Sequence, residues 1–264
     1  MTKKNIVVFS SGPIGVLFLE KILRYKNFKV HLVVICNNSN NPFFEEGQIN
    51  PMEKICAVNR ISIAYDPSEV VGYKYDLGLS FSNFHILRQE HITPFKNGVI
   101  NFHGAPIEWY KGSAVPAYHI LHEDKPMWGF TYHYVDEGLD TGNIIKQILY
   151  DIPEGLSSEE IDKSVVINAL EGLYDFFDYL FLTKLTPKSF LNHNKVLPIK
   201  RKDLKKFAVL NENLPATVDF EKKMRAFNWP KILKHPMVLV NNKKYRLVPE
   251  EKYDEMLKIY RENE

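Results

Sequence analysis

Cysteine is nearly missing from this 264-residue chain, which carries only Cys36 and Cys56. Two thiols are too few for a disulfide framework, so a reducing cytoplasm is the expected setting. Long apolar runs are missing as well. None approaches the roughly 18–20 residues that cross a bilayer. The stretch behind Lys3 and Lys4 stops after about four residues, too short for a signal-peptide core. Nor is there an excess of charge: 34 Lys and Arg face 32 Asp and Glu, a formal net charge of +2. No global field therefore marks the chain as a nucleic-acid binder. Internal repeats, low-complexity tracts and an H-E-x-x-H motif are absent too. What is present is an ordinary globular composition, 45% hydrophobic and 25% charged, with length for one large domain or for one domain and an appendage.

The first half alternates strand and helix patterns. Strands are predicted over residues 5–10 and 29–36, with a helix over 14–25 between them and a polar loop over 37–47. A helix over 51–59 has Pro51 near its start, and short strands follow at 61–64, 75–81 and 99–103. Such alternation predicts an α/β protein with a Rossmann-like, doubly wound, mostly parallel sheet. A helix is expected over 113–122, and strands over 129–134 and 143–150 flank V-D-E-G-L-D-T-G. One long amphipathic helix over 157–182 opens with Ser157 and Glu160 at capping-box spacing. After Thr186-Pro187 the composition shifts. A basic connector over 195–206 leads to a short helix over 217–227, a hairpin of 238–240 with 245–248, and a charged helix over 249–260.

Three stretches carry candidate chemistry. S-S-G-P-I-G at 10–15 follows the first strand where a dinucleotide fold places its phosphate loop, but it is G-x-x-G, and no acid ends the second strand to hold a ribose. His119 and His122 stand one helical turn apart, yet nothing else supports a metal site, and none is expected. V-I-N-F-H-G-A-P at 99–106 is different. Strand geometry puts Asn101 and His103 on one face and Phe102 on the other. The greasy strand therefore ends in either a satisfied polar pair or a site. Asp140, in the glycine-bounded loop 135–142, could swing back to an imidazole, fixing its tautomer and favouring its charged form. A carboxamide donor beside such a pair suits acyl transfer.

Together these segments resemble the folate-dependent formyltransferase family. The paired motifs are N-F-H-G-A-P-I-E-W-Y-K-G and H-Y-V-D-E-G-L-D-T-G, with S-S-G-P-I-G and L-S-F-S-N-F-H-I-L at 79–87 in support. The resemblance covers residues 1–185, with a departure at Gly104, where many relatives have Pro. It implies Asn101, His103 and Asp140 as catalytic residues and N10-formyltetrahydrofolate as cofactor. Asn101 would steady the oxyanion, His103 would take the amine proton or polarise the carbonyl, and Asp140 would orient His103. The pterin is expected between two loops, at Phe81, Ser82, Phe84, His85 and Ile86 and at Tyr134, Asp136 and Gly138. Ser10, Gly12 and Pro13 in the first turn, and Trp109, Tyr110 and Lys111 after the motif strand, are expected to meet the acceptor.

M-R-A-F-N-W-P-K at 224–231 resembles a stretch of nucleotide-sugar N-formyltransferases. It adds Arg225 and the aromatics Phe227 and Trp229 as candidate nucleotide contacts, although both rings could equally be core. The expected acceptor is an amino deoxysugar on a nucleoside diphosphate, such as dTDP-4-amino-4,6-dideoxyglucose, used for lipopolysaccharide O-antigen. Initiator methionyl-tRNA, glycinamide ribonucleotide and, for a hydrolase, water are the alternatives. The expected organisation is a catalytic domain over 1–185 and a small α+β extension over 186–264. The Asn-rich hairpin is a candidate homodimer contact, and no nucleic-acid or membrane partner is expected.

Overall fold

The computed structural model describes residues 2–35, 50–123, 125–192, 196–204, 207–211, 218–229, 233, 236–240 and 243–247. Cys36, the polar loop over 37–47, the hairpin tip at 241–242 and the helix expected over 249–260 lie outside them. The chain divides into two compact units. The first comprises residues 1–112, 127–151 and 162–198, the second 113–126, 152–161 and 199–264.

Unit one is built on a seven-stranded sheet in the order β3-β2-β1-β4-β5-β6-β7. The strands are β1 (Lys4–Ser10), β2 (Phe28–Val34), β3 (Ser62–Ala64), β4 (Leu77–Phe81), β5 (Val99–His103), β6 (Met127–Tyr134) and β7 (Ile144–Asp151). The first five run parallel, and β6 and β7 add an antiparallel edge. β4 is buried along its whole length and β1 from Ile6 onward, as strands covered on both faces must be. Helix α1 (Gly12–Arg24) packs Phe18 onto Phe81 and Phe102, with ring centroids 4.5 and 5.0 Å apart. The opposite face buries Val7, Phe9, Leu32, Val34, Phe95 and Val99. Phe102 thus faces α1, and Val99, Asn101 and His103 share the other face. Helices α2 (Pro51–Asn59) and α3 (Gln89–Ile92) complete the connections.

The helix expected over 157–182 is two helices, α5 (Ser158–Glu171) and α6 (Leu173–Leu182). Gly172 separates them at φ −84° and ψ 4°. Glycine costs about 1 kcal/mol in a helix interior relative to alanine, and the chain breaks at that weak link. The expected cap is formed: Glu160 Oε2 accepts from Ser157 N at 2.8 Å, and Ser157 Oγ accepts from Glu160 N at 3.3 Å.

Unit two holds α4 (Val115–His122), α7 (Arg201–Leu204), α8 (Val218–Phe227) and a three-stranded sheet in the order β10-β9-β8. β9 (Met237–Val240) and β10 (Lys243–Arg246) form the expected hairpin. β8 (Val209–Asn211), parallel to β9, went unread because three residues show no period.

Candidate active site

Sheet register assembles the centre of the site. Asn101 on β5 lies opposite Ser80 on β4 and His133 on β6. Residues paired across neighbouring strands share a face, so the three polar side chains form one row. Ser80 Oγ donates to Asn101 Oδ1 at 2.8 Å. Asn101 Nδ2 lies 3.1 Å from His133 Nε2, and His133 Nδ1 lies 2.8 Å from the Tyr134 carbonyl. A carbonyl can only accept, so His133 carries its proton on Nδ1 and receives Asn101 on Nε2. This relay leaves the second N–H of Asn101 as a donor without a partner among the described residues. Ser80 and His133 were not among the candidates read from the sequence. The β4–β5–β6 register that selects them is a long-range pairing that no local pattern reveals.

His103, one row further along β5, is enclosed. Its Nε2 sits 3.0 Å from the Tyr110 carbonyl and its Nδ1 3.5 Å from Asp140 Oδ2. The tautomer is therefore set by the Tyr110 carbonyl, which accepts a hydrogen bond from Nε2–H, rather than by Asp140 as the sequence suggested. Nδ1 then turns its lone pair toward a carboxylate, the place where a proton is best received. Asp140 also accepts from Gly112 N at 2.8 Å and places Oδ1 3.6 Å from His133 Nε2. Both His103 and Asp140 are about nine-tenths buried. Burial pulls the His103 pKa below its ordinary value, and His133 and Lys111 push the same way against the pull of Asp140 and the Tyr110 carbonyl. For Asp140, burial is the largest single influence and would raise its pKa. The neighbouring imidazoles and the Gly112 N–H together outweigh it and hold the carboxyl well below the usual carboxylate range. The resting pair at neutral pH is a neutral imidazole beside a carboxylate.

Beside this centre is a cleft of about 330 Å³. Ser80, Asn101, His133 and Asp140 reach it, and the loops 83–87 and 135–139 form its walls. Of the expected cofactor contacts, His85, Ile86, Asp136 and Gly138 line it. Asn83 ties the first loop by bonding both N and O of His85 at 3.0 Å, after a left-handed bend at Ser82 (φ 50°). Phe84 and Tyr134 are partly buried and are not among the lining residues. Phe81 departs from expectation, since its ring is stacked in the core on Phe18 and leaves only backbone to offer a ligand.

The expected acceptor contacts divide. Ser10 is fully buried and gives its hydroxyl to the Phe81 carbonyl at 2.6 Å, so it ties β1 to β4 instead of facing a ligand. Gly12 (φ 78°) and Pro13 open α1, and the Ser11 amide next to them bonds the Ser82 carbonyl. Tyr110 is packed against Trp128 with centroids 5.2 Å apart, so its contribution is its carbonyl rather than its ring. Lys111 is buried, and Trp109 remains partly exposed. Arg225, Phe227 and Trp229 belong to unit two. There Arg225 donates to the Leu156 carbonyl at 3.1 Å and lines a second, polar cavity of about 320 Å³ with Lys125 and Glu154. Phe227 is core, 2% exposed, which removes its ring from the candidate nucleotide contacts. His119 and His122 are engaged, with the Lys125 carbonyl and with the rings of Tyr118 and Phe207.

A protein-family model described as formyl transferase matches residues 4–175. Among curated proteins, the methionyl-tRNA formyltransferase of Borrelia turicatae is 33% identical over 173 residues, 62% of this chain and 55% of that protein. The chain spans about half the length of the curated relatives it matches. Among solved structures, a sugar N-formyltransferase from Shewanella has a TM-score of 0.72 at 18% identity, covering 92% of this chain and 96% of that one. The N-formyltransferase from Helicobacter canadensis, in complex with folinic acid and dTDP-3-aminofucose, has a TM-score of 0.68 at 21% identity, covering 92% and 86%. These likenesses show a shared fold.

Proposed function

The chain belongs to the formyl transferase family, and on that footing we propose that it carries a formyl group from N10-formyltetrahydrofolate to the amino group of a nucleoside-diphosphate-linked amino sugar. One observation carries the choice of acceptor. The likeness to sugar N-formyltransferases runs through 92% of this chain and 85–96% of theirs. Structural likeness to glycinamide ribonucleotide formyltransferases reaches only 69–75% of this chain, and the sequence match to methionyl-tRNA formyltransferases covers about six-tenths of it. The reading includes dTDP-4-amino-4,6-dideoxyglucose or a close relative as acceptor, a cytoplasmic setting, a place in surface-polysaccharide synthesis and a homodimer. Residues 1–185 are its catalytic part and 186–264 its extension.

The cleft fits the formyl donor. Ile86, Leu87, Val135 and Leu139 supply apolar walls, and His85 Nε2 is buried with no partner among the described residues. Burial lowers the His85 pKa, so the ring stays neutral. Apolar walls with a few unspent polar atoms are what a flat heteroaromatic ring requires. When bound, the donor supplies a formyl carbon open to an amine. The second N–H of Asn101, fixed by Ser80 and His133, is the donor for the oxygen on which charge develops. The proton shed by the amine as it bonds the formyl carbon would come to His103 Nδ1 by way of Asp140, which reaches the cleft, and would return to the tetrahydrofolate nitrogen as the old carbon–nitrogen bond breaks; in between, the imidazolium bonds the Tyr110 carbonyl at one nitrogen and faces Asp140 at the other. Low solvent access strengthens that pairing.

The test is tetrahydrofolate release from N10-formyltetrahydrofolate with dTDP- and UDP-amino sugars, glycinamide ribonucleotide, initiator methionyl-tRNA or no acceptor. Release is expected with an amino-sugar nucleotide alone. Release that needs methionyl-tRNA, or none of these acceptors, overturns the assignment.

A further inference from the structure

Asp140 holds a backbone conformation that side-chained residues seldom take, with φ 55°. Such residues persist only where the surroundings fix them. Its carboxylate is held from one side by Gly112 N. Its backbone is held from the other side by a residue beyond the stretch matched by the family model. Asn192 Nδ2 lies 3.1 Å from the Asp140 carbonyl and 3.4 Å from the Gly142 carbonyl. Both acceptors are carbonyls, so the amide orientation is unambiguous: the amino group faces them. Asn192 is delivered by a short antiparallel bridge. Phe190 and Ile144, the first residue of β7, exchange both backbone hydrogen bonds, at 2.6 and 2.8 Å. Gly142 has no room for a Cβ, which would collide with the Tyr134 carbonyl. A single side chain thus ties the carbonyls of the 140–141 and 142–143 peptides.

We propose that Asn192 is a positioning residue for formyl transfer, acting through the backbone of Asp140. The proposal rests on the reading that Asp140 serves His103. A turn about the N–Cα bond of Asp140, whose φ is 55°, would carry its carbonyl and its carboxylate together, the carboxylate leaving His103 Nδ1, 3.5 Å distant, and His133. Asn192 holds that rotation. Residue 192 touches no reacting atom, so its effect must appear in the chemical step and in the titration of His103.

The experiment compares Asn192→Ala, Asn192→Asp and Asp140→Asn with the wild type. Asn192→Asp keeps the shape but turns a carboxylate oxygen toward two carbonyls, so it is the deciding variant if Asn192→Ala does not fold. Nitrogen-detected NMR follows His103 across pH without ligand, and thermal melting checks folding. Turnover is measured with N10-formyltetrahydrofolate and the panel of dTDP- and UDP-amino sugars. Displacement of a carboxylate that raises the His103 pKa must move the His103 midpoint to lower pH. Both Asn192 variants are expected to show that shift, smaller than in Asp140→Asn. Turnover should fall roughly 10- to 10²-fold, as slight misplacement of catalytic groups does, while the KM for the formyl donor changes less than about threefold. A folded Asn192 variant with unchanged titration and turnover, beside an Asp140→Asn protein that changes in both, overturns the role of Asn192 alone. No change in Asp140→Asn removes the reading beneath it as well.

Discussion

Replacing Asp140 by Asn tests the arrangement at its most charged point. The carboxylate lies 3.5 Å from His103 Nδ1 in a setting where both side chains are 9% exposed. Opposite unit charges at that separation attract by about 5 kcal/mol at an effective dielectric near 20. That attraction exists only once His103 has taken a proton, so it stabilises the step and not the resting state. The variant keeps the shape but must reassign its donors. The amide oxygen has to stay on Gly112 N, 2.8 Å away. Its amino group then faces His133 Nε2, which already receives Asn101. Two donors compete for one lone pair, and the Asn101 relay loosens together with the lost charge. With about 1.4 kcal/mol per tenfold in rate, and with part of the attraction retained by the amide dipole, turnover should fall roughly 10²- to 10³-fold. Donor affinity, read by calorimetric titration with folinic acid, should change little. The pH profile gives a second reading. His103 must be neutral to receive a proton, and burial holds its pKa below the ordinary value. The acid limb of kcat/KM should therefore lie below pH about 6.5 in the wild type, and at still lower pH in Asp140→Asn. Turnover within tenfold of wild type in a folded variant, or an acid limb that moves upward, would refute the reasoning.

Ser80→Ala should slow turnover about tenfold by releasing Asn101 Oδ1, the energy of one ordinary hydrogen bond, and Ser80→Thr should restore most of it; equal rates in all three proteins would show that the row needs no anchor. Tyr132→Phe should leave stability unchanged or raise it by up to about 1 kcal/mol in urea unfolding, since the ring stacks on Phe176 at 3.8 Å while its hydroxyl has no partner among the described residues. A clear loss would reveal a partner for that hydroxyl. Acid should destabilise the fold in two stages. Both His103 and Asp140 have lowered pKa values in the folded state. Their contributions are therefore complete above the unfolded-state values, and stability falls first below pH about 6.5 and again below about 4. In Asp140→Asn only the first stage should remain of these two.

The sequence by itself was enough for the strands of the large sheet and for singling out Asn101, His103 and Asp140 as candidates. β5 ends at His103 as its pattern required, and Asn101 and His103 share a face because strand side chains alternate. α2 begins at Pro51 and ends at Asn59 as its pattern predicted. The Ser157–Glu160 cap was legible for the same reason: these are local rules, readable within a few residues. What the sequence could not give is anything set by a long-range pairing. Gly172 broke a helix whose apolar stripe read as continuous, because periodicity does not register a single weak position. Phe81, Tyr110 and Phe227 carried the right chemistry for binding but spend their rings in packed cores, since burial depends on what folds over a residue. Ser80 and His133 sat inside quoted motifs without a role, and Asn192 lay outside them all. The first two became part of the site when β4 and β6 paired with β5 in one register, and the third when residue 190 bridged to the start of β7. A hydrogen bond between residues 21, 32 or 52 positions apart is decided by how the sheet closes, and only the tertiary structure holds that information.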